Sequence, residues 1–172
     1  MRVFAAVAVA LSIALPLQAQ QDEIGIPLGQ VPPAAEVQTL DGQRANLNQF
    51  IGRRPVLVEF WATWCPICRA LMPRMLDAQR RYGRHMDFVI VGVGVNQSRR
   101  SMQRHVEEHP MPFHHFFDAT GAAVRSFQAP STSYIAVLDA QGRVVYTGVG
   151  EDQDIDAAVR RALPTASRSG SD

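Results

Sequence analysis

Buried strands alternating with amphipathic helices predict an α/β fold, a central mixed sheet with helices on both faces. Three observations carry this. Residues 55–61 (P-V-L-V-E-F-W) and 88–95 (F-V-I-V-G-V-G-V) are apolar runs of the kind found in strands covered on both faces. Between them Leu71, Met72, Met75, Leu76 and Ala78 recur at helical spacing. At either end of the chain, short alternating segments flank a turn, Asp41-Gly42 and then residues 139–142. With 172 residues, 47% hydrophobic and 19% charged, the chain has material for one packed domain.

Taken in order, residues 20–35 are polar and proline-marked, a lead-in to the domain at 36–163. Residues 36–40 and 44–47 form a hairpin about Asp41-Gly42, and Asn48 is expected to cap a brief turn ending near Gly52. The strand at 55–61 leads into a helix over 69–81 that Gly83 stops. The strand at 88–95 is followed by a helix over 98–109, terminated by Pro110 and Pro112, and a short helix over 121–127. Strands at 134–138 and 143–148 form a second hairpin, and 154–163 is a final amphipathic helix ahead of a Ser-rich tail at 164–172. The expected order behind the first hairpin is β-α-β-α-β-β-α.

All 17 basic residues are Arg, against 16 acidic ones. The balance argues against a nucleic-acid binder, and the lack of Lys excludes a Schiff-base or P-loop lysine. Residues 1–19 carry Arg2, an apolar run at 3–15, Pro16 and a small residue at Ala19, the layout of a secretory signal peptide cleaved after Ala19. The run is short for a bilayer span, so the mature chain is expected to be periplasmic and not membrane-spanning, where disulfides persist.

The two cysteines form one C-x-x-C, Cys65-Pro66-Ile67-Cys68. Two cysteines make neither a disulfide framework nor a four-ligand zinc site. They leave a redox pair, a two-thiolate metal site completed by His, or an inert pair. The motif leaves a buried strand and enters a helix, so it falls on the first helical turn. There unpaired N–H groups and the dipole's positive end stabilise a thiolate. Cys65 is expected to be the exposed attacking thiol and Cys68 the shielded one. Glu59 sits within the buried strand, where a carboxyl is costly and its pKa rises. Six residues before Cys65, it is placed to relay the proton of Cys68.

The stretch F-W-A-T-W-C-P-I-C-R followed by Met72-Pro73 resembles the thioredoxin superfamily, in particular its periplasmic TlpA/ResA-like thiol–disulfide oxidoreductases. The likeness runs over residues 30–163. It includes the Asp41-Gly42 hairpin, an extra β-α insertion at 88–109 and the closing turn at 139–142. It implies a thioredoxin-like fold and disulfide exchange in which Cys65 attacks and Cys68 resolves. It also gives Glu59 the position of the family's buried Asp, and implies no cofactor. Trp64, Pro66, Pro130, Thr132 and Ser133 are the residues it places along a substrate groove. Two departures stand out. Leu71 occupies a position where many relatives carry Glu. The family's cis-proline lies nine residues before the hairpin glycine, and that count from Gly142 reaches Ser133, with Pro130 three residues earlier. A cis bond ahead of a non-proline residue costs about 2.5–4 kcal/mol, so Thr132–Ser133 is expected to be trans.

His105 and His109, four apart, share a helix face; His114 and His115 alternate if extended. Both pairs read as surface histidines, Met72 and Met75 as helix core, and Arg99, Arg100 and Arg104 as a solvated face. The leading function is an envelope reductase of protein disulfides, re-reduced by a membrane thiol donor, because Pro66-Ile67 adds no cation to stabilise a reduced Cys65 strongly. Its clients would be an apocytochrome, an oxidised envelope protein or a copper-handling protein. The alternative is a Cu(I) carrier using Cys65, Cys68 and a His. A peroxiredoxin-type peroxidase is disfavoured because Ala62 stands where a Thr precedes the nucleophile.

Overall fold

The computed structural model describes residues 24–164, so the signal segment at 1–19 and all but Pro164 of the tail lie outside the described residues. Strands β1 (Glu36–Thr39) and β2 (Arg44–Asn46) pair antiparallel about the Asp41-Gly42 turn, where Gly42 takes φ +95°. A single 3-10 turn follows at Leu47–Gln49; its cap is Asn46, not Asn48, because the Asn46 side chain accepts the Asn48 N–H. Strand β3 (Val56–Trp61) is buried at every position. Helix α1 (Pro66–Tyr82) begins three residues before its expected start and runs through Pro73 to Gly83. Strand β4 (Asp87–Val93) and helix α2 (Arg99–Glu108), capped by Ser98, come next.

Strand β5 (His114–Asp118) is the element the sequence left unassigned. Only five residues long and opening on two histidines, it has no alternation of its own; it is a strand because it fills the place between β4, parallel to it, and β1, antiparallel. Helix α3 (Ala122–Ser126), strands β6 (Tyr134–Leu138) and β7 (Val144–Gly148), and helix α4 (Ile155–Ala162) complete the chain. The sheet order is β2-β1-β5-β4-β3-β6-β7. Strand β3 therefore lies inside, hydrogen-bonded to β4 in parallel and β6 in antiparallel.

Pleating divides β3 between two cores. Leu57, Glu59 and Trp61 face the side that α2 covers, where the Trp61 and His105 rings lie 5.2 Å apart. Val56, Val58 and Phe60 face the other side, where Phe60 meets Phe127 at 5.5 Å and Tyr134 at 5.8 Å. The lead-in is pinned across this second side: the Ile26 N–H reaches the Phe127 carbonyl, and Gly29 and Gln30 exchange hydrogen bonds with Val144. Arg99 is not simply solvated, since its guanidinium donates to the Leu40 carbonyl and ties α2 to the first hairpin.

Candidate active site

The end of β3 and the start of α1 build the site. Cys65 is the N-cap of α1, with φ −81° and ψ 107°, and its Sγ accepts the Cys68 N–H at 3.1 Å. Its own N–H turns back to the Ala62 carbonyl at 3.1 Å. Pro66 follows, where a missing N–H costs nothing, and no acidic side chain occupies the first turn to compete for the positive end of the helix. The two sulfurs are joined as a disulfide with Cα atoms 5.3 Å apart. Cys68 is fully buried. Cys65 is only 2% exposed, against the expectation of an exposed thiol, because its Sγ is turned inward onto the helix terminus and bonded to Cys68.

Glu59 is fully buried in the interior strand, and neither carboxylate oxygen has a hydrogen-bond partner. Its cross-strand neighbours are Ile90 and Ile135. With apolar flanks and no compensating cation, loss of solvation raises its pKa to about 8. At neutral pH it is mainly the protonated carboxylic acid, with a minor ionised fraction.

Beside the disulfide lies a groove of about 280 Å³ lined by Trp64, Val93, Val95, Val124, Ala129, Pro130, Ser131 and Thr132. Trp64 is held over it by its indole N–H, which donates to the Val95 carbonyl at 2.9 Å. Trp64, Ile67 and Val95 are 44%, 42% and 58% exposed, an apolar rim around buried sulfurs. Pro66 is exposed at the head of α1 and Pro130 stands in the groove wall. Ser133 lies beneath, at the edge of β3: its N–H donates to the Phe60 carbonyl at 2.8 Å. The described residues contain no cis peptide bond, and Ser133 takes φ +61°. That left-handed turn is held by two more contacts, the Gly150 N–H donating to Ser133 Oγ at 3.2 Å and Gln153 Nε2 donating to the Ser133 carbonyl at 3.0 Å.

A strand-to-helix disulfide and a buried acid within that strand, on a mixed sheet, agree with what comparison shows. The Redoxin family model matches residues 27–163. The chain belongs to the Redoxin family. Within the thioredoxin superfamily this redoxin is of the ResA/TlpA-like kind, and it is a thiol–disulfide oxidoreductase. It is 32% identical over 130 residues to the thioredoxin-like protein YneN of Bacillus subtilis, covering 74% of this chain and 75% of the relative. It is 23% identical over 139 residues to the thiol-disulfide oxidoreductase ResA of Bacillus thuringiensis, covering 80% of this chain and 79% of that one. Among solved structures, MTB dsbF superimposes with a TM-score of 0.62 at 26% identity, over 74% of this chain and 91% of that one.

Four of the redoxin's five histidines lie along α2, its C-cap and β5. His105 and His109 stack at 4.6 Å along α2, His114 stands 3.8 Å from Asp87, and His115 is half-buried on β5. Burial and the neighbouring His114 lower the His115 pKa to about 4. Among the described residues no three His, Cys, Asp or Glu side chains are grouped to hold a metal, so the Cys65, Cys68 and His set of the carrier alternative is not assembled. Two residues that sequence reasoning missed do reach the site. Gln153 holds Ser133, and Gln97 ties the turn at Thr63 to the ends of β3 and β4. No spacing or motif marks a lone glutamine, so neither was legible beforehand.

Proposed function

We propose that this redoxin reduces protein disulfides in the cell envelope, with Cys65 attacking, Cys68 resolving and Glu59 relaying the proton. The observation that carries the reading is a Cys65–Cys68 disulfide at a helix N-terminus, entered from a strand bearing a buried carboxyl of pKa about 8. In the reduced enzyme the Cys65 thiolate attacks one sulfur of a client disulfide, and the other client sulfur leaves as a thiolate. In its ionised form, the minor one at neutral pH for a pKa of about 8, Glu59 takes the Cys68 proton; the Cys68 thiolate attacks Cys65 Sγ, and the second client thiolate departs. Two electrons pass to the client and the enzyme is left as the disulfide seen here. A thiol donor at the membrane then returns two electrons. Trp64, Pro130 and Thr132 form the wall against which the client chain lies. The signal-like segment at 1–19 and the similarity to ResA support the envelope location, and no helix among the described residues is long and apolar enough to cross a membrane.

The test is the potential of the pair, read by trapping free thiols across glutathione and dithiothreitol buffers. A value at or below roughly −230 mV, the glutaredoxin-to-thioredoxin range, supports a reductase. One near about −120 mV makes the protein an oxidant and reverses the direction. Cys68→Ser should accumulate a mixed disulfide on Cys65. Full disulfide-reducing activity in Cys65→Ser would overturn the reading altogether.

A further inference from the structure

The loop between β4 and α2 reaches the active-site turn through the Val95 carbonyl and the side chain of Gln97. Gln97 Oε1 accepts the Thr63 N–H at 3.0 Å, while its Nε2 donates to the Trp61 carbonyl at 3.3 Å and the Val93 carbonyl at 2.7 Å. One carboxamide thus binds the end of β3, the first residues of the turn and the end of β4. Thr63 is held from its other side as well, its carbonyl accepting from Arg69 at 3.2 Å. Two residues along from Gln97, the Val95 carbonyl holds the Trp64 indole, and Ser98 caps α2 by accepting the Ser101 N–H at 3.1 Å, which anchors the loop at its far end.

The chemistry selects glutamine. The three groups to be satisfied are one N–H and two carbonyls, and a carboxamide offers one acceptor and two donors. A carboxylate at this place cannot donate, and an aliphatic side chain leaves all three backbone groups without this partner. The consequence bears on the sulfur. Cys65 Sγ meets the helix N-terminus only if residues 62–64 deliver Cys65 to the cap in extended conformation, and Gln97 fixes the middle of that approach.

We propose that Gln97 is a positioning residue for disulfide exchange, holding the turn so that Cys65 Sγ stays on the N-terminal dipole of α1. It rests on Cys65 and Cys68 being the exchanging pair. The measurements are the Cys65 thiol titration, followed by the pH dependence of alkylation in the reduced protein, and the equilibrium with glutathione. In Gln97→Ala the titration should move upward and the thiolate-to-thiol ratio at neutral pH fall about threefold, the reach of a modest realignment at a helix end. The glutathione equilibrium should move toward the protein disulfide by a similar factor, since the reduced form loses stabilisation. Gln97→Glu keeps the acceptor for Thr63 but loses both donors and adds a negative charge, so its shift should be larger. If both variants titrate and equilibrate as the parent does, within twofold, the proposal fails, even where their stability is lowered. Should Gln97→Ala not fold, Gln97→Met, of similar length, is read in the same way. Failure of the parent itself to exchange with glutathione would instead overturn the function proposed above.

Discussion

Glu59→Gln should make the oxidised protein more stable at neutral pH and remove one limb of its pH dependence. The group's pKa is about 8 in the fold and 4.5 in the reference state. The folded value is the higher one, so the stability linked to this proton is whole below pH 4.5 and lost as pH rises through 8. Between those values the unfolded chain ionises Glu59 and the folded one does not, at about 1.4 kcal/mol per pH unit. The cost is about 3 kcal/mol at pH 7 and roughly 5 above pH 8. The carboxamide of the variant does not titrate. It leaves an amide in an apolar site, a penalty of about 1–3 kcal/mol that is constant with pH. The measurement is urea unfolding of both proteins, disulfide intact, from pH 5 to pH 9. The difference between the two is the quantity to read, because His115 tilts both curves the opposite way below pH 6.5. It should grow by roughly 4 kcal/mol across that range in favour of Glu59→Gln and level off above pH 8. Parallel curves would refute the reasoning, and so would a wild type that gains on the variant as pH rises.

His115 works with the opposite sign. Its pKa is lowered from 6.5 to about 4, so its contribution is present above pH 6.5 and lost as pH falls through 4, by about 3 kcal/mol. His115→Phe, which also removes a buried ring nitrogen without a partner, should flatten the acid limb of the unfolding curve; an unchanged midpoint of acid unfolding would count against it. Ser133→Pro should cost at least about 3 kcal/mol, because proline cannot take φ +61° and has no N–H for the Phe60 carbonyl. Ser133→Gly keeps the turn and should stay within about 1 kcal/mol of the parent, losing only the Gly150 contact. A proline variant as stable as the parent in urea would show that the left-handed turn does not hold this loop.

The redox centre was legible because its determinants are local. Six buried residues run into Cys65, Pro66 opens a helix, and a helical period follows, all within a window over which backbone propensity and side-chain spacing decide the outcome. The two hairpins were legible for the same reason, since Gly42 and Gly142 supply the positive φ their turns need. Ser133 could be placed by counting, but its trans, left-handed backbone comes from Phe60, Gly150 and Gln153, residues remote in sequence. Strand β5 exists because β4 and β1 leave an unpaired ladder between them, which five residues with two histidines do not announce. The burial of Cys65, the unpartnered carboxyl of Glu59 and the three-way grip of Gln97 likewise depend on neighbours brought from other strands and helices. Hydrogen-bond partners and desolvation are sums over everything packed around a group, and most of that surrounding matter lies far away along the chain. Sequence by itself therefore marked the Cys65–Cys68 pair, while the assembled sheet decided how deeply Glu59 is buried and what holds the turn ahead of Cys65.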